Sequence, residues 1–289
     1  MRFLAGLSEI ADSFDALLLD LWGVVHNGRR PYPGVVDCLA ALSKQGKRVI
    51  FLSNAPRPHT EIYGQLATIG IPRPLYESVV TSGDAAVVAL TRRSDPDHAD
   101  LGRRFYMLGP ERDRPVLALI AGEEVQSAEA ADYVLCTGLF DDERETAADY
   151  RDTLAGMLRR ATPLLCLNPD LSVIRGEREI PCAGALAEAY ARIGGKVVMH
   201  GKPFPGIYRL AEEKLTKVDT GRILAVGDRL DTDIAGAKRV GLAAALVTGG
   251  VLAAELGVGY GVPADAARLS AVVAKADAKP DFVLPGLAW

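Results

Sequence analysis

Short runs rich in valine, isoleucine and leucine recur along this chain between longer segments in which apolar residues have helical spacing. The runs are ALLLD, RVIFLS, SVVTS, RFYMLG, DYVLCTG, PLLCLN, KVVMHG, RILAVGD and AAALVTGG. Two of the intervening segments, 33–46 and 181–195, begin with proline and end in glycine, as helices with their flanking residues often do. Strands that alternate with helices are typical of parallel sheets covered by helices, so the sequence predicts an α/β fold.

Length and composition narrow the class of protein further. The chain has 289 residues, which suits one large domain or two ordinary ones. Its apolar fraction of 49% and its net charge of −4 argue against disorder and against a strongly basic nucleic-acid binder. No apolar run reaches the roughly 18 to 20 residues of a membrane span, and acidic residues interrupt the first twenty positions, where a signal peptide is apolar. We therefore expect a cytoplasmic protein without membrane or nucleic-acid partners.

Polar residues stand where several of the predicted strands end. Asp20 ends ALLLD, Ser53 and Asn54 follow the next strand, and Asp228 follows RILAVG. Lys202, within Gly-Lys-Pro, comes shortly after KVVMH. Open α/β folds bind ligands at the carboxyl edge of the sheet, so we expect these side chains to meet there.

These polar segments carry a resemblance to a known superfamily. DLWGVVHNG at 20–28, FLSNAPR at 51–57, GKP at 201–203 and GDRLDTDI at 227–234 resemble, in order and spacing, the four motifs of the haloacid dehalogenase (HAD) superfamily. CLNPD at 166–170 and GAL at 184–186 are similar to segments of its class IIA cap. The match spans nearly the whole chain and indicates the class IIA branch of nitrophenyl phosphatase-like and sugar or nucleotide phosphatase-like enzymes.

The resemblance implies a doubly wound, mostly parallel HAD core with an inserted α/β cap domain of the C2 type. We place the core at residues 1–93 and 196–289 and the cap at 94–195, since the polar, proline-containing stretch 91–104 and Gly194-Gly195 suit the crossings. Such a cap would cover the catalytic edge, with Asn168, Pro169 and Asp170 facing the cleft as substrate contacts. Class IIA relatives often pair through their caps, so a homodimer is a further expectation.

The same residues suit phosphate chemistry. Asp20 can attack phosphorus only if its repulsion from a phosphate dianion is cancelled, which Mg2+ would do. Oxygen ligands for this hard cation would come from Asp20, Asp228 and the backbone carbonyl of Trp22, with Asp233 as a ligand or just outside the ligand shell.

Other polar groups would hold the phosphoryl oxygens and the rest of the substrate. The Lys202 ammonium, the Ser53 hydroxyl and the Asn54 backbone amide are the expected partners of the phosphoryl oxygens. Arg57, just after the second motif, is a candidate substrate contact or an exposed arginine.

Trp22 departs from the family pattern. The resemblance implies a second aspartate at this position, acting as general acid on the leaving alcohol and then as general base on water. An indole cannot do this, and losing such a group commonly costs about 10² to 10⁴ in rate. Trp22 is instead either a stacking platform for a substrate ring or a filler of the space left by the carboxylate. His26 is either a substitute acid or a packing histidine.

Two other chemistries fit less well. Dehalogenases of the superfamily also differ at this position, but they work without magnesium, which disagrees with the intact GDRLDTD. A phosphonatase would need a Schiff-base lysine on a small cap, and no such segment is recognisable.

The sequence therefore predicts a Mg2+-dependent phosphatase of small phosphorylated metabolites that forms an aspartyl phosphate on Asp20 and favours good leaving groups or uses another acid. The alternative is a phosphometabolite-binding or regulatory protein that keeps the fold and turns over feebly.

Overall fold

The computed structural model describes residues 1–175 and 178–289, which divide into two units, each with its own parallel sheet. The first unit comprises Met1–Ser53, Thr60–Val80 and Lys202–Trp289. The second comprises Asn54–His59 and Thr81–Gly201.

The strands, in chain order, are β1 (Arg2–Phe3), β2 (Ala16–Asp20), β3 (Arg48–Ser53), β4 (Ser78–Thr81), β5 (Arg104–Leu108), β6 (Glu123–Glu124), β7 (Tyr133–Cys136), β8 (Leu164–Cys166), β9 (Ser172–Arg175), β10 (Arg178–Pro181), β11 (Val197–Met199), β12 (Ile223–Gly227), β13 (Ala243–Val247) and β14 (Phe282–Leu284). Each of the nine predicted apolar runs contains one of these strands. None of these runs contains β1, β6, β9, β10 or β14. Strands β1 and β6 have two residues each, which is too few to show a pattern.

The α-helices are α1 (Val35–Lys44), α2 (His59–Thr68), α3 (Ser82–Arg92), α4 (Pro96–Ala99), α5 (Arg151–Arg159), α6 (Ala183–Arg192), α7 (Pro205–Lys214), α8 (Ala235–Arg239), α9 (Ala253–Leu256) and α10 (Ala266–Ala274). Short 3₁₀ helices occupy Leu7–Ser13, Arg73–Leu75, Glu111–Leu119, Ala128–Ala130, Ala147–Tyr150 and Thr220–Arg222, and one π-helical turn spans Leu230–Ile234. The two predicted helical segments contain α1 and α6. Among the described residues, no helix combines the length and the apolar character that a membrane span requires.

The sheet of the first unit has the strand order β1-β14-β13-β12-β2-β3-β4. The pairings from β1 through β3 are all parallel. Every residue of the central strands β2 and β12 is buried, because such a sheet is covered on both faces. Leu19 of β2 pairs with Val226 of β12, so the two strands end side by side. The predicted α/β class and the mostly parallel core are confirmed.

The second unit has a five-stranded parallel sheet of order β11-β8-β7-β5-β6 and a two-stranded antiparallel sheet of β9 and β10. One apolar cluster contains residues of α5 and α6, and another contains residues of α3. A capping box starts α3, since Thr81 Oγ1 accepts from the Asp84 amide and the Asp84 carboxylate accepts from the Thr81 amide. The cap limits at residues 94 and 195 stay a prediction.

Candidate active site

Two aspartates lie at the carboxyl ends of neighbouring strands in the first unit. Asp20 is the last residue of β2, and Asp228 follows Gly227 at the end of β12. Because β2 and β12 are parallel and adjacent, residues far apart in sequence meet at one edge of the sheet. Asp20 is 8% exposed and Asp228 is 4% exposed, so both residues are buried.

Asp233 completes an acidic cluster. It lies in the π-helical turn Leu230–Ile234, a rare helical form that occurs frequently at functional sites. The turn brings it back to the strand end, where its Oδ2 accepts from the Arg229 amide at 3.1 Å. One carboxylate oxygen from each of Asp20, Asp228 and Asp233 lies within 4.8 Å of the others.

A buried lysine accompanies these carboxylates. Lys202 is 4% exposed, and its Nζ donates to Asp20 Oδ1 and to Asp233 Oδ1, the latter at 2.7 Å. Tyr208, one turn into α7, donates its hydroxyl to the Asp233 backbone carbonyl at 3.1 Å. Lys202, Asp20 and Asp233 thus form one hydrogen-bonded group at the sheet edge.

The pKa values follow from burial and from this charge pattern. Burial raises the pKa of Asp20 well above its ordinary 3.8, against the opposing pull of Lys202. Burial and then repulsion from Asp233 raise the pKa of Asp228 to about 7. Burial alone would lower the pKa of Lys202, but attraction to Asp20 and Asp233 outweighs it and raises that pKa well above 10.5. The lysine therefore stays charged, while the carboxylates need more positive charge to ionise fully.

The cluster fits a divalent cation. Three carboxylates and one ammonium carry a net charge of −2 when all are ionised, which a divalent ion would balance. The donors are hard oxygen atoms, the type that Mg2+ and Ca2+ prefer. The absence of a side chain at Gly23 lets its backbone approach the Asp228 carboxylate. Gly23 has a φ of +80°, and a Cβ there would lie 1.9 Å from Asp228 Oδ2. We conclude that the acidic cluster suits a metal centre better than a purely structural role.

Ser53 and Asn54 follow one another at the end of β3 and are both buried. The Asn54 side chain, which belongs to the second unit, donates through Nδ2 to Asp170 Oδ1 at 2.9 Å. The Asn54 backbone amide, rather than its side chain, was the predicted phosphate donor, and that role stays a prediction.

The other predicted substrate contacts lie in the second unit. Arg57 Nε is 3.7 Å from Asp113 Oδ1, and burial raises the pKa of Asp113 to about 6. Asp170 and Asn168 follow β8, and the Asn168 side-chain oxygen accepts from the Asp170 amide at 3.2 Å. Arg57, Asn168 and Asp170 thus have protein partners, and their substrate roles stay predictions.

Trp22 lies two residues beyond Asp20 and is 40% exposed. Its ring meets the His26 ring edge-on, with centroids 5.4 Å apart and planes inclined at 67°. The indole also covers Gly28, which has a φ of +84° and where a Cβ would lie 2.3 Å from Trp22 Cη2. The Trp22 side chain is therefore held by its own loop, and metal binding by its carbonyl stays a prediction.

His26 is almost completely buried beneath this tryptophan. It is 1% exposed, its Nδ1 accepts from the Gly28 amide at 2.9 Å, and burial lowers its pKa to about 4. The imidazole is thus neutral at pH 7 and engaged within the loop. Of the two interpretations from sequence, this geometry favours a packing histidine.

Two contacts of the acidic cluster were not found from sequence. Tyr208 supports the backbone of Asp233, and the Val251 amide donates to Asp228 Oδ2 at 2.7 Å. Val251 follows the glycine pair at the end of AAALVTGG. A glycine pair directly after a predicted strand is the sequence feature that could have indicated this contact. Tyr208 carried no signal, since a tyrosine on an amphipathic helix usually packs in the core.

Comparisons with known proteins agree with this geometry. Residues 17–123 match a family described as haloacid dehalogenase-like hydrolase, and residues 199–289 match a second, HAD-hydrolase-like family. A hydrolase of the haloacid dehalogenase-like family from Brucella suis 1330 is similar over 98% of this chain and 99% of that one, with 35% identity and a TM-score of 0.82.

Two further relatives are similar over most of this chain. Human chronophin is 28% identical over 89% of this chain and 88% of its own. A glycerol phosphate phosphatase from Mycobacterium tuberculosis, solved in complex with magnesium, is 27% identical over 95% of this chain and 76% of that chain, with a TM-score of 0.71. Together with the buried aspartate cluster at the sheet edge, these matches show that the chain belongs to the haloacid dehalogenase-like hydrolases, in class IIA, a branch of phosphoric monoester hydrolases.

Proposed function

We propose that this enzyme hydrolyses phosphate monoesters of small metabolites, with Asp20 as the nucleophile and Mg2+ as its cofactor. The observation that carries the proposal is the buried group of Asp20, Asp228, Asp233 and Lys202 at the carboxyl edge of the parallel sheet. Phosphatases among the relatives, including the glycerol phosphate phosphatase, support the substrate class.

The metal would be held by Asp20 and Asp228, with Asp233 as a ligand or in a supporting position and the Trp22 carbonyl as a further oxygen donor. When bound, a divalent ion supplies positive charge that offsets the repulsion between a carboxylate and a phosphate. Support for magnesium in particular comes from the oxygen-only donor set and from the Mg2+ complex of the similar M. tuberculosis enzyme.

Asp20 would attack the phosphorus atom with one carboxylate oxygen. A new bond forms between that oxygen and phosphorus, and the bond from phosphorus to the ester oxygen breaks, so the organic group leaves with the electron pair. Water then attacks the phosphorus of the aspartyl phosphate, which frees Asp20 and inorganic phosphate. The low exposure of Asp20 limits competing water around the nucleophile.

Lys202 has two tasks in this scheme. Its ammonium contacts Asp20 and lowers the free-energy cost of ionising that buried carboxyl group. The same charge would attract the phosphoryl oxygens, together with the Ser53 hydroxyl and the Asn54 backbone amide.

The organic part of the substrate would be recognised by Arg57, Asn168 and Asp170 and by the exposed face of Trp22. Since Trp22 offers no ionisable proton, we propose that substrates whose leaving group is stable as an anion react best. Aryl and acyl phosphates meet this condition, whereas alkyl phosphates do so poorly.

The test compares 4-nitrophenyl phosphate with glycerol 3-phosphate, each with MgCl2 and with EDTA. We expect metal-dependent hydrolysis of the aryl ester, slower hydrolysis of the alkyl ester, and loss of both in Asp20→Asn. A second candidate, a phosphometabolite-binding protein of feeble activity, is favoured by the buried, neutral His26 beside Trp22. It would be supported if both esters bind and neither is turned over, and that outcome would overturn the phosphatase proposal.

A further inference from the structure

The loop that carries Asp20 offers no group able to exchange a proton with the substrate or with water. Segment 20–28 contains Asp20 itself, the indole of Trp22 and the imidazole of His26. The indole N–H does not ionise at neutral pH. His26 is 1% exposed, and its Nδ1 accepts a hydrogen bond from the Gly28 amide at 2.9 Å, so the imidazole is shielded from substrate and water.

The neighbouring charged groups are already engaged. Lys202, Asp233 and Asp228 are the charges that act most strongly on the Asp20 carboxyl group. Lys202 donates to both Asp20 and Asp233, and Asp228 accepts from the Val251 amide. In the proposed function Asp228 and Asp233 also face the cation, so neither carboxylate is available to accept a proton from water.

The position of Trp22 is fixed rather than adaptable. The edge-on contact with His26 and the close cover over Gly28 hold the indole against its own loop.

The two chemical steps depend differently on such a group. In the first step, an aryl or acyl phosphate loses a leaving group that is stable as an anion, so no donor is needed. In the second step, water must lose a proton as its oxygen bonds to phosphorus and the bond from phosphorus to Asp20 breaks. Without a positioned base this proton goes to solvent, and general base catalysis of this kind is commonly worth about 10² to 10⁴ in rate.

We propose that phosphorylated Asp20 is long-lived in this enzyme, and that aryl and acyl phosphates phosphorylate Asp20 faster than water hydrolyses the aspartyl phosphate. The chain then spends most of its catalytic cycle as a phosphoenzyme, and Asp20 is a phosphorylation site as well as a nucleophile. This inference rests on the proposed function, because it takes Asp20 to be the group that attacks phosphorus.

The experiment is a rapid acid quench of the full chain mixed with 4-nitrophenyl phosphate and MgCl2. We expect a burst of about one nitrophenol per chain, followed by turnover that is about 10²-fold slower or slower still. Intact-mass spectrometry of the quenched protein should show one added phosphoryl group that hydroxylamine removes, as it does from an acyl phosphate. Peptide mapping should place the group on Asp20.

Two matched variants test the cause. Trp22→Asp supplies a carboxylate, and Trp22→Asn has the same shape without an ionisable group. We expect Trp22→Asp to clear the phosphoryl group about 10²-fold faster than Trp22→Asn, with similar circular dichroism spectra for both. Equal clearance by the two variants would overturn the assigned cause, and the burst in the unmodified chain does not depend on either variant folding.

The outcomes separate this inference from the proposed function. Steady turnover without a burst or trapped phosphoryl group, but abolished in Asp20→Asn, would overturn the long-lived phosphoenzyme and leave the phosphatase intact. No turnover and no label would overturn both. A stable label on a residue other than Asp20 would also overturn both, because the nucleophile would then be different.

Discussion

Replacing Asp228 by asparagine should stabilise the metal-free protein and weaken its response to magnesium. The substitution keeps the shape of the side chain and an oxygen that can accept from the Val251 amide, now 2.7 Å from Asp228 Oδ2. It removes one negative charge from a buried group that contains Asp20 and Asp233. The variant therefore isolates the cost of that charge.

The magnitude follows from the pKa of Asp228. Burial raises this pKa from an ordinary 3.8 to about 7. At pH 8, where the group is ionised, this shift lowers the free energy of unfolding by at most about 4 kcal/mol. An acid whose pKa is raised on folding takes up a proton as the protein folds, so stability is lost as the pH rises from 3.8 to about 7. The advantage of Asp228→Asn should thus shrink below about 2 kcal/mol at pH 5.

The assay is equilibrium urea denaturation of both proteins at pH 5 and pH 8, in EDTA and in MgCl2. In EDTA at pH 8 the variant should have the larger free energy of unfolding. In MgCl2 the unmodified protein should gain about 2.7 kcal/mol at a concentration one hundred times the dissociation constant, and the variant should gain much less. Equal stabilisation of the two proteins by magnesium, or a less stable variant in EDTA at pH 8, would refute the reasoning.

Three further predictions concern Lys202, Gly28 and His200. Lys202→Met should destabilise the metal-free protein by about 3 to 5 kcal/mol in urea denaturation, because it leaves buried carboxylates without their cation; a loss below about 1 kcal/mol would contradict this. Gly28→Ala should cost about 1 to 2 kcal/mol and change the fluorescence of Trp22, since the glycine has a φ of +84° and a Cβ would strike the indole; unchanged emission and stability would count against the packing described. Burial lowers the pKa of His200 to about 3, so stability should be lost as the pH falls from 6.5 towards 3. Between pH 6 and 4 the loss should be steeper than in His200→Gln by about 1.4 kcal/mol per pH unit, measured by urea denaturation, and equal slopes would contradict this.

The strands and the acidic cluster could be predicted from the sequence because they depend on local patterns. Buried parallel strands are continuous apolar runs, and the parallel topology brings their ends to one edge. The predicted positions of Asp20 and Asp228 at neighbouring strand ends follow from these two facts. The structure places the two residues beside each other as expected.

Other features depend on tertiary contacts that leave no local trace. Nothing in the sequence indicates that Arg57 lies near Asp113 or that the Asn54 side chain donates to Asp170. His98 and His200 had no assigned role, yet their Nε2 atoms lie 3.3 Å apart and both side chains are buried. Such pairs are set by the packing of segments about one hundred residues apart, which periodicity does not report.

The most direct test of the central claim is a crystal structure of the protein with Mn2+, recorded with anomalous scattering. We expect one strong anomalous peak bound by the carboxylates of Asp20 and Asp228, close to Asp233, and its loss in Asp228→Asn. An anomalous peak elsewhere, or a protein saturated with Mn2+ in solution but without a peak at this cluster, would contradict it.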